Sequence, residues 1–155
     1  MLKVTLLELF LRGVPEAFIF ILAAYAFSKK FVNIKKYLIS SILFVVMVYS
    51  IRFLPIHYGI HAMLNLFIFI VITVNINKID LIKSMRAGII AIILEFLCEG
   101  VNVLMIQYIF KVDINYVFKE PVLKVLYGIP SMVIFAICVI IYYIILLKGK
   151  ELKFI

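Results

Sequence analysis

Ionisable side chains recur at helical spacing inside segments otherwise suited to lipid. Glu8, Arg12 and Glu16 stand four residues apart in the first apolar run. Residues at i, i+4 and i+8 share one helix face, so two carboxylates and a guanidinium would line one stripe. Glu95, Glu99 and Asn102 repeat the device at i, i+4 and i+7 in a later run. Arg52 closes another run, His57 and His61 lead into the next, and Asn65 follows one turn on. Polar groups of these types, gathered away from water, mark ligand or ion pathways and proton relays. Glu8, Arg12, Glu16, Arg52, His57, His61, Asn65, Glu95, Glu99 and Asn102 are therefore the candidate ligand-binding residues.

Their energetics demand partners. An ionised group at the centre of a membrane span costs about 2.5–3.5 kcal/mol on insertion scales. Arg12 can pair with Glu8 or Glu16 along its own helix, and Arg52 with Glu95 or Glu99. The set then holds four carboxylates against two arginines. At least one of Glu95 and Glu99 is expected to carry a proton, or to be neutralised by a histidine or a cationic ligand. Like charges one turn apart are poor helix glue, which favours a functional over a clamping role for this pair.

Other chemistry is thinly represented. Cys98 and Cys138 both fall in apolar runs and read as buried small residues rather than zinc ligands or a disulfide. No phosphate loop or nucleotide fingerprint occurs. The reading is of a non-enzyme with no catalytic residue, no metal site and no cofactor.

The elements that must position these residues follow from composition. Of 155 residues, 67% are hydrophobic, and the mean hydropathy is +1.25. Soluble domains lie nearer half apolar. Continuous rather than alternating apolar runs exclude a β-barrel reading. Charges in the first run, with no small-residue site after it, argue against a cleaved signal peptide. Five spans are expected, at about 5–27, 37–54, 60–76, 87–110 and 122–147. A break at Pro15 or Pro130 would add a sixth short segment. The whole chain, 1–155, reads as a single all-α domain, a polytopic membrane helical bundle of the cell membrane.

The net charge of +8 belongs to topology, not to nucleic acid. Lys29, Lys30, Lys35 and Lys36 fill the first connection, Lys78, Lys83 and Arg86 the third, and Lys148, Lys150 and Lys153 the tail. The positive-inside rule puts these in the cytoplasm and the N-terminus outside. The polar set then falls at mid-depth or in the outer half, as a pocket opening outward, with the inner half almost free of polar groups. A short phrase also repeats: Gly13-Val14-Pro15-Glu16 and Gly128-Ile129-Pro130-Ser131. Both copies would begin an inward-running span, and proline would kink each helix. Tyr127 and Ser131 would satisfy the backbone freed there.

Short loops, five spans, an outside N-terminus and the closing IIYYIILLKGKELKFI resemble the transmembrane sensor half of histidine kinases of the accessory gene regulator C type. The resemblance implies a signal-receiving module for a small-molecule or peptide ligand. With no kinase region in the sequence, it would act through a partner protein or as a homo-oligomer. In size and span count the chain is also similar to substrate-binding subunits of energy-coupling-factor vitamin transporters. Ala23-Ala24-Tyr25-Ala26 would then dock a partner helix, and the substrate would be cationic or proton-coupled. Glu8-x-x-x-Arg12, Phe53-x-x-x-His57 and His61-x-x-x-Asn65 resemble motifs of the CAAX intramembrane proteases. Leu7, however, replaces the first of that family's paired glutamates, and the two histidines are nearly adjacent.

Overall fold

The computed structural model describes residues 9–52, 54, 58–111, 119 and 121–152, with Arg52, Tyr58 and Pro121 described by their backbone alone. Among them the chain is all helical. Helix α1 runs Leu9–Phe27, α2 Ile34–Arg52, α3 Tyr58–Asn75, α4 Leu81–Tyr108 and α5 Pro121–Lys148. All five expected runs are helices, with ends displaced by up to six residues. The largest displacement is at α4, which begins at Leu81, directly after Asp80 at the N-cap position, rather than at Ala87. The Glu8 end of the first run lies outside the described residues.

α1, α2, α4 and α5 are long and apolar enough to cross a membrane, whereas the apolar stretch Gly59–Asn75 of α3 is shorter. Apolar side chains also cover the outside of the bundle: Ile39, Met63, Phe67, Ile82 and Ile145 are each more than half exposed. A water-soluble protein rarely shows such continuous apolar cover. The chain is a helical membrane protein.

α1 is the hub. It packs against α2, α4 and α5 and touches α3. The run Ala23, Ala24, Tyr25 and Ala26 explains this, since small side chains let neighbouring backbones approach closely. All four residues are fully buried within the chain itself. That run therefore does not serve as a docking surface for a partner helix: its own bundle occupies it. Below the middle of the bundle, Phe20, Phe44 and Phe69 from α1, α2 and α3 meet in a three-way cluster, with ring centroids 6.0–6.3 Å apart.

The two prolines are absorbed differently. Pro15 has no N–H, and its ring would collide with a carbonyl one turn back. The chain widens into a single π-helical turn, Leu9–Gly13, before the α-helical part of α1 starts at Val14. Pro130 lies inside α5, which continues through it. Two side chains there take carbonyls of the preceding turn: Asn102 Nδ2 donates to Tyr127 O at 2.7 Å, and Ser131 Oγ to Gly128 O at 2.8 Å. Neither proline divides its span, so no sixth segment forms among the described residues.

The basic connections gather at one end. Lys30 Nζ donates to Lys78 O at 2.8 Å, and Lys29 pairs with Glu151 beyond α5. Lys29 and Lys150 hold positive φ as they close α1 and α5 in Schellman caps, where glycine is the usual residue. A cation at a helix C-terminus is favoured by the helix dipole, which offsets part of the backbone strain.

This end, expected from the sequence to lie inward and to be almost free of polar groups, is not free of them. Tyr25, Thr73, Asn77 and Ser84 are fully buried there, with Ser40 and Ser41. Tyr25 Oη donates to Asn77 Oδ1 at 3.1 Å, Thr73 Oγ1 to Phe69 O at 2.7 Å, and the Thr73 and Ser84 hydroxyls bond to each other. Tyr37 Oη donates to Phe18 O at 3.0 Å. Short hydroxyl and amide side chains do not disturb hydropathy, so nothing in the apolar pattern marked them.

Candidate functional site

The first stripe is set by α1. Arg12 rides on the π turn, and Glu16 follows on the first α-helical turn. Their side chains pair along the helix, with Arg12 Nε 3.5 Å from Glu16 Oε2. The second stripe is set by α4. Its Glu99 receives the other face of the guanidinium, Arg12 Nη2 bonding Glu99 Oε1. Eighty-seven residues of chain separate these partners. One turn deeper, Glu95 of α4 and Glu16 of α1 border the same cavities.

The last helix supplies the floor under the guanidinium. A Cβ added at Gly128 would lie 3.0 Å from Arg12 Nη1 and 3.4 Å from its Cζ. Glycine at this place lets Arg12 lie flat between α4 and α5. The second Gly-x-Pro phrase thus has a use beyond its proline. The backbone of α5 is bared where the charge of α1 crosses it.

Beside this ionic cluster is a cavity of about 120 Å³ between α1, α2, α3 and α4. Glu16, Glu95 and Asn65 are its polar border, and Phe20, Phe44 and Phe69 belong to its apolar wall. Eleven residues separate Glu16 from the end of α1 at Phe27, about 16 Å at 1.5 Å per residue. Ten separate Asn65 from the end of α3 at Asn75, about 15 Å. Against a hydrocarbon core of about 30 Å, the cavity sits near mid-depth. Gly88 helps shape it: a Cβ there would come within 2.6 Å of Leu66 Cδ1 and 3.0 Å of Phe69 Cδ1.

One acceptor at this border lacks any donor: Asn65 Oδ1 is shielded from solvent and receives no hydrogen bond, while Glu16 Oε2, equally shielded, is met only by the Arg12 guanidinium at 3.5 Å. A buried acceptor without a donor carries a desolvation penalty of about 1–3 kcal/mol. The border can therefore accept donors from a guest.

The ten residues read from the sequence divide as follows. Arg12, Glu16, Glu95 and Glu99 meet in one cluster, and Asn65 faces Glu16 and Glu95 across the cavity. Asn102 lies at the Pro130 break, its amide taken by the Tyr127 carbonyl. His61 is half-buried one turn from Asn65 and does not border the cavity. Glu8, His57 and the Arg52 side chain lie outside the described residues, so the expected pairing of Arg12 with Glu8 and of Arg52 with Glu95 or Glu99 falls there too. Glu99 is met by Arg12. Gly88, Gly128 and the phenylalanine wall were not picked out from the sequence. Only Gly128 carried a signal, its place in the repeated phrase. Among the described residues no three metal-ligating side chains gather, and both cysteines are free thiols.

Comparison with protein-family models, with curated proteins and with solved structures finds no match to this chain. The site's own geometry carries the reading of function.

Proposed function

We propose that the chain is a five-span protein of the cell membrane, with its basic connections cytoplasmic and its N-terminus outside, that receives a ligand in the mid-depth cavity. It passes the signal through a partner protein or a second copy of itself. One observation carries this reading: the cavity is bordered by two carboxyl groups and an orphaned amide oxygen, with a single guanidinium, already engaged by Glu99, beside them. A merely structural ion pair needs no void next to it. Unpaired acceptors around an empty space are tolerated when a guest fills them. Lysines at the Lys29, Lys78 and Lys150 corners share one end of the bundle, which supports a cytoplasmic assignment for that end.

Transport is a second reading, favoured by the depth of the cavity, since carriers hold substrate near the bilayer midplane. Reconstituted vesicles separate the two: a carrier accumulates labelled ligand, whereas a receiver binds it without flux.

The primary test is a thermal-shift ligand screen in detergent on the wild type, Glu95→Gln and Glu99→Gln. A true guest raises the unfolding temperature of the wild type and loses most of that effect in Glu95→Gln. A compound that stabilises all three proteins equally argues for binding elsewhere. A reporter fused after Ile155 checks the orientation, and an extracytoplasmic signal would sink it.

A further inference from the structure

The sequence holds three arginines, Arg12, Arg52 and Arg86. Arg12 is met by Glu16 and Glu99. Arg86, near the start of α4, has no carboxylate partner among the described residues. Asp80 is the only acidic residue between Glu16 and Glu95 in the sequence, and Lys83 already holds it. Arg86 is exposed. Ile82, Ile89 and Ile90, at i−4, i+3 and i+4, share its face of the helix and are exposed as well. The opposite face, with Ser84, Ala87, Gly88 and Ala91, is buried in the bundle. Arg86 thus stands on the lipid side of a membrane helix, where an ionised group without a partner is costly. Topology asks for positive charge there, not for a guanidinium. The other cations at the basic end are all lysines, which are strongly hydrated point charges. Arginine is less hydrated, and its planar fork matches two oxygens of a phosphate. Helix α4 has 28 residues, about 42 Å, and overreaches a hydrocarbon core of about 30 Å. Arg86 lies about 8 Å from its start at Leu81. From there the long stem can carry the charge to headgroup level.

We infer that Arg86 and the aliphatic face around it form a site for one anionic phospholipid, the guanidinium holding the headgroup phosphate and Ile82, Ile89 and Ile90 lying along an acyl chain. Lys83 assists through Asp80: by holding that carboxylate it removes the one nearby charge in the sequence that would repel the phosphate. The apolar face selects a lipid over a free anion. Soluble phosphate meets the same guanidinium but gains nothing from three isoleucines. A zwitterionic lipid also carries a phosphate, but its own cationic group competes with Arg86 for it, so a net negative headgroup is favoured. None of these residues borders either cavity at the ionic cluster, and the site stands or falls apart from ligand reception there.

The test uses the whole chain in detergent with equal amounts of phosphatidylglycerol and phosphatidylcholine of the same acyl chains, and native mass spectrometry counts the lipid retained. The wild type should keep phosphatidylglycerol over phosphatidylcholine by about fivefold, the size of one cationic contact with an anionic membrane surface. Arg86→Gln should erase the preference. Lys148→Gln, which removes an exposed cation at the end of α5, should leave it whole. Excess inorganic phosphate should not displace the retained lipid. A wild type without preference overturns the site by itself, even where a variant fails to fold. Equal loss in Lys148→Gln and Arg86→Gln would give the preference to the charge of the whole end and overturn the site as well. Displacement by inorganic phosphate would make Arg86 a free-anion contact and remove the lipid. A second copy of the chain retained in place of lipid, and lost in Arg86→Gln, would make this face a dimer contact instead.

Discussion

Two polar regions lie inside this bundle, and they are built by opposite rules. Toward the basic end, Tyr25, Thr73, Asn77 and Ser84 are neutral and fully buried, and they are tied by hydrogen bonds to one another or to the backbone. Neither of the two cavities at the ionic cluster reaches them. Near mid-depth, Arg12, Glu16, Glu95 and Glu99 are charged or chargeable, only partly buried, and beside a void. The first region holds helices together. Tyr25 with Asn77, or Thr73 with Ser84, could be exchanged as a pair for apolar groups of like shape at little cost, because both side-chain partners of the bond would vanish together. In the second, carboxyl groups outnumber the available cation, and stability alone gives no reason to keep such an excess. The contrast separates glue from site more sharply than polarity does.

Removing the cation should give the largest effect. Arg12→Leu leaves Glu99 unpaired beside two further carboxyl groups and is expected to lower stability by about 3 kcal/mol, the low end for a broken buried pair, since Glu99 is 40% exposed. Adding Glu99→Leu should restore much of that loss. Denaturant unfolding of both variants in detergent checks this. A double variant no more stable than the single would deny that the pair acts as one unit.

Gly88→Ala comes next. The new methyl meets Leu66 and Phe69, and overpacking of this kind costs about 1–3 kcal/mol. It should also reduce any guest's affinity, because Gly88 borders the cavity. Unchanged binding with lowered stability would detach the cavity from the function. In the other region, Tyr25→Phe deletes the donor to Asn77 and should lower stability by about 1 kcal/mol while leaving ligand binding untouched. Altered binding in this variant would erase the distinction between glue and site.

The smallest effects are at the surface of the basic end. Glu151 raises the pKa of Lys29 through their hydrogen bond and attraction. The stability this contributes is full below the ordinary lysine range and is lost as pH rises through the folded value. Lys83 lowers the pKa of Asp80 in the same two ways. That contribution is present above the ordinary aspartate range and is lost as pH falls through the folded value. Both groups are on the exposed surface, so unfolding measured from acid to alkaline pH should show only slight slopes at the two extremes. Lys29→Gln and Asp80→Asn should flatten them. A large slope surviving in both variants would point to other groups.

The membrane class and the five helices were legible because apolar runs of span length admit one solution. In lipid every backbone polar group must be bonded within the segment, so such runs form helices. The pairing of Glu16 with Arg12, and of Glu99 with Glu95 on one face, was legible from i, i+4 spacing. The Arg12 to Glu99 contact was not, because periodicity fixes which way a residue faces on its own helix but not which helix stands opposite. The network toward the basic end was invisible for a different reason. Serine, threonine, asparagine and tyrosine pass unnoticed in an apolar run, and only their burial together reveals them.

Local spacing and hydropathy thus determined the helices, their faces and the charge imbalance, since these depend on neighbours along the chain. Tertiary packing decided that α1 is the hub, that Gly128 receives the guanidinium, that Gly88 shapes the cavity wall, and that Glu16 and Asn65 border one void. Those facts depend on which surfaces meet across tens of residues, where side-chain volume rather than sequence order selects the neighbour.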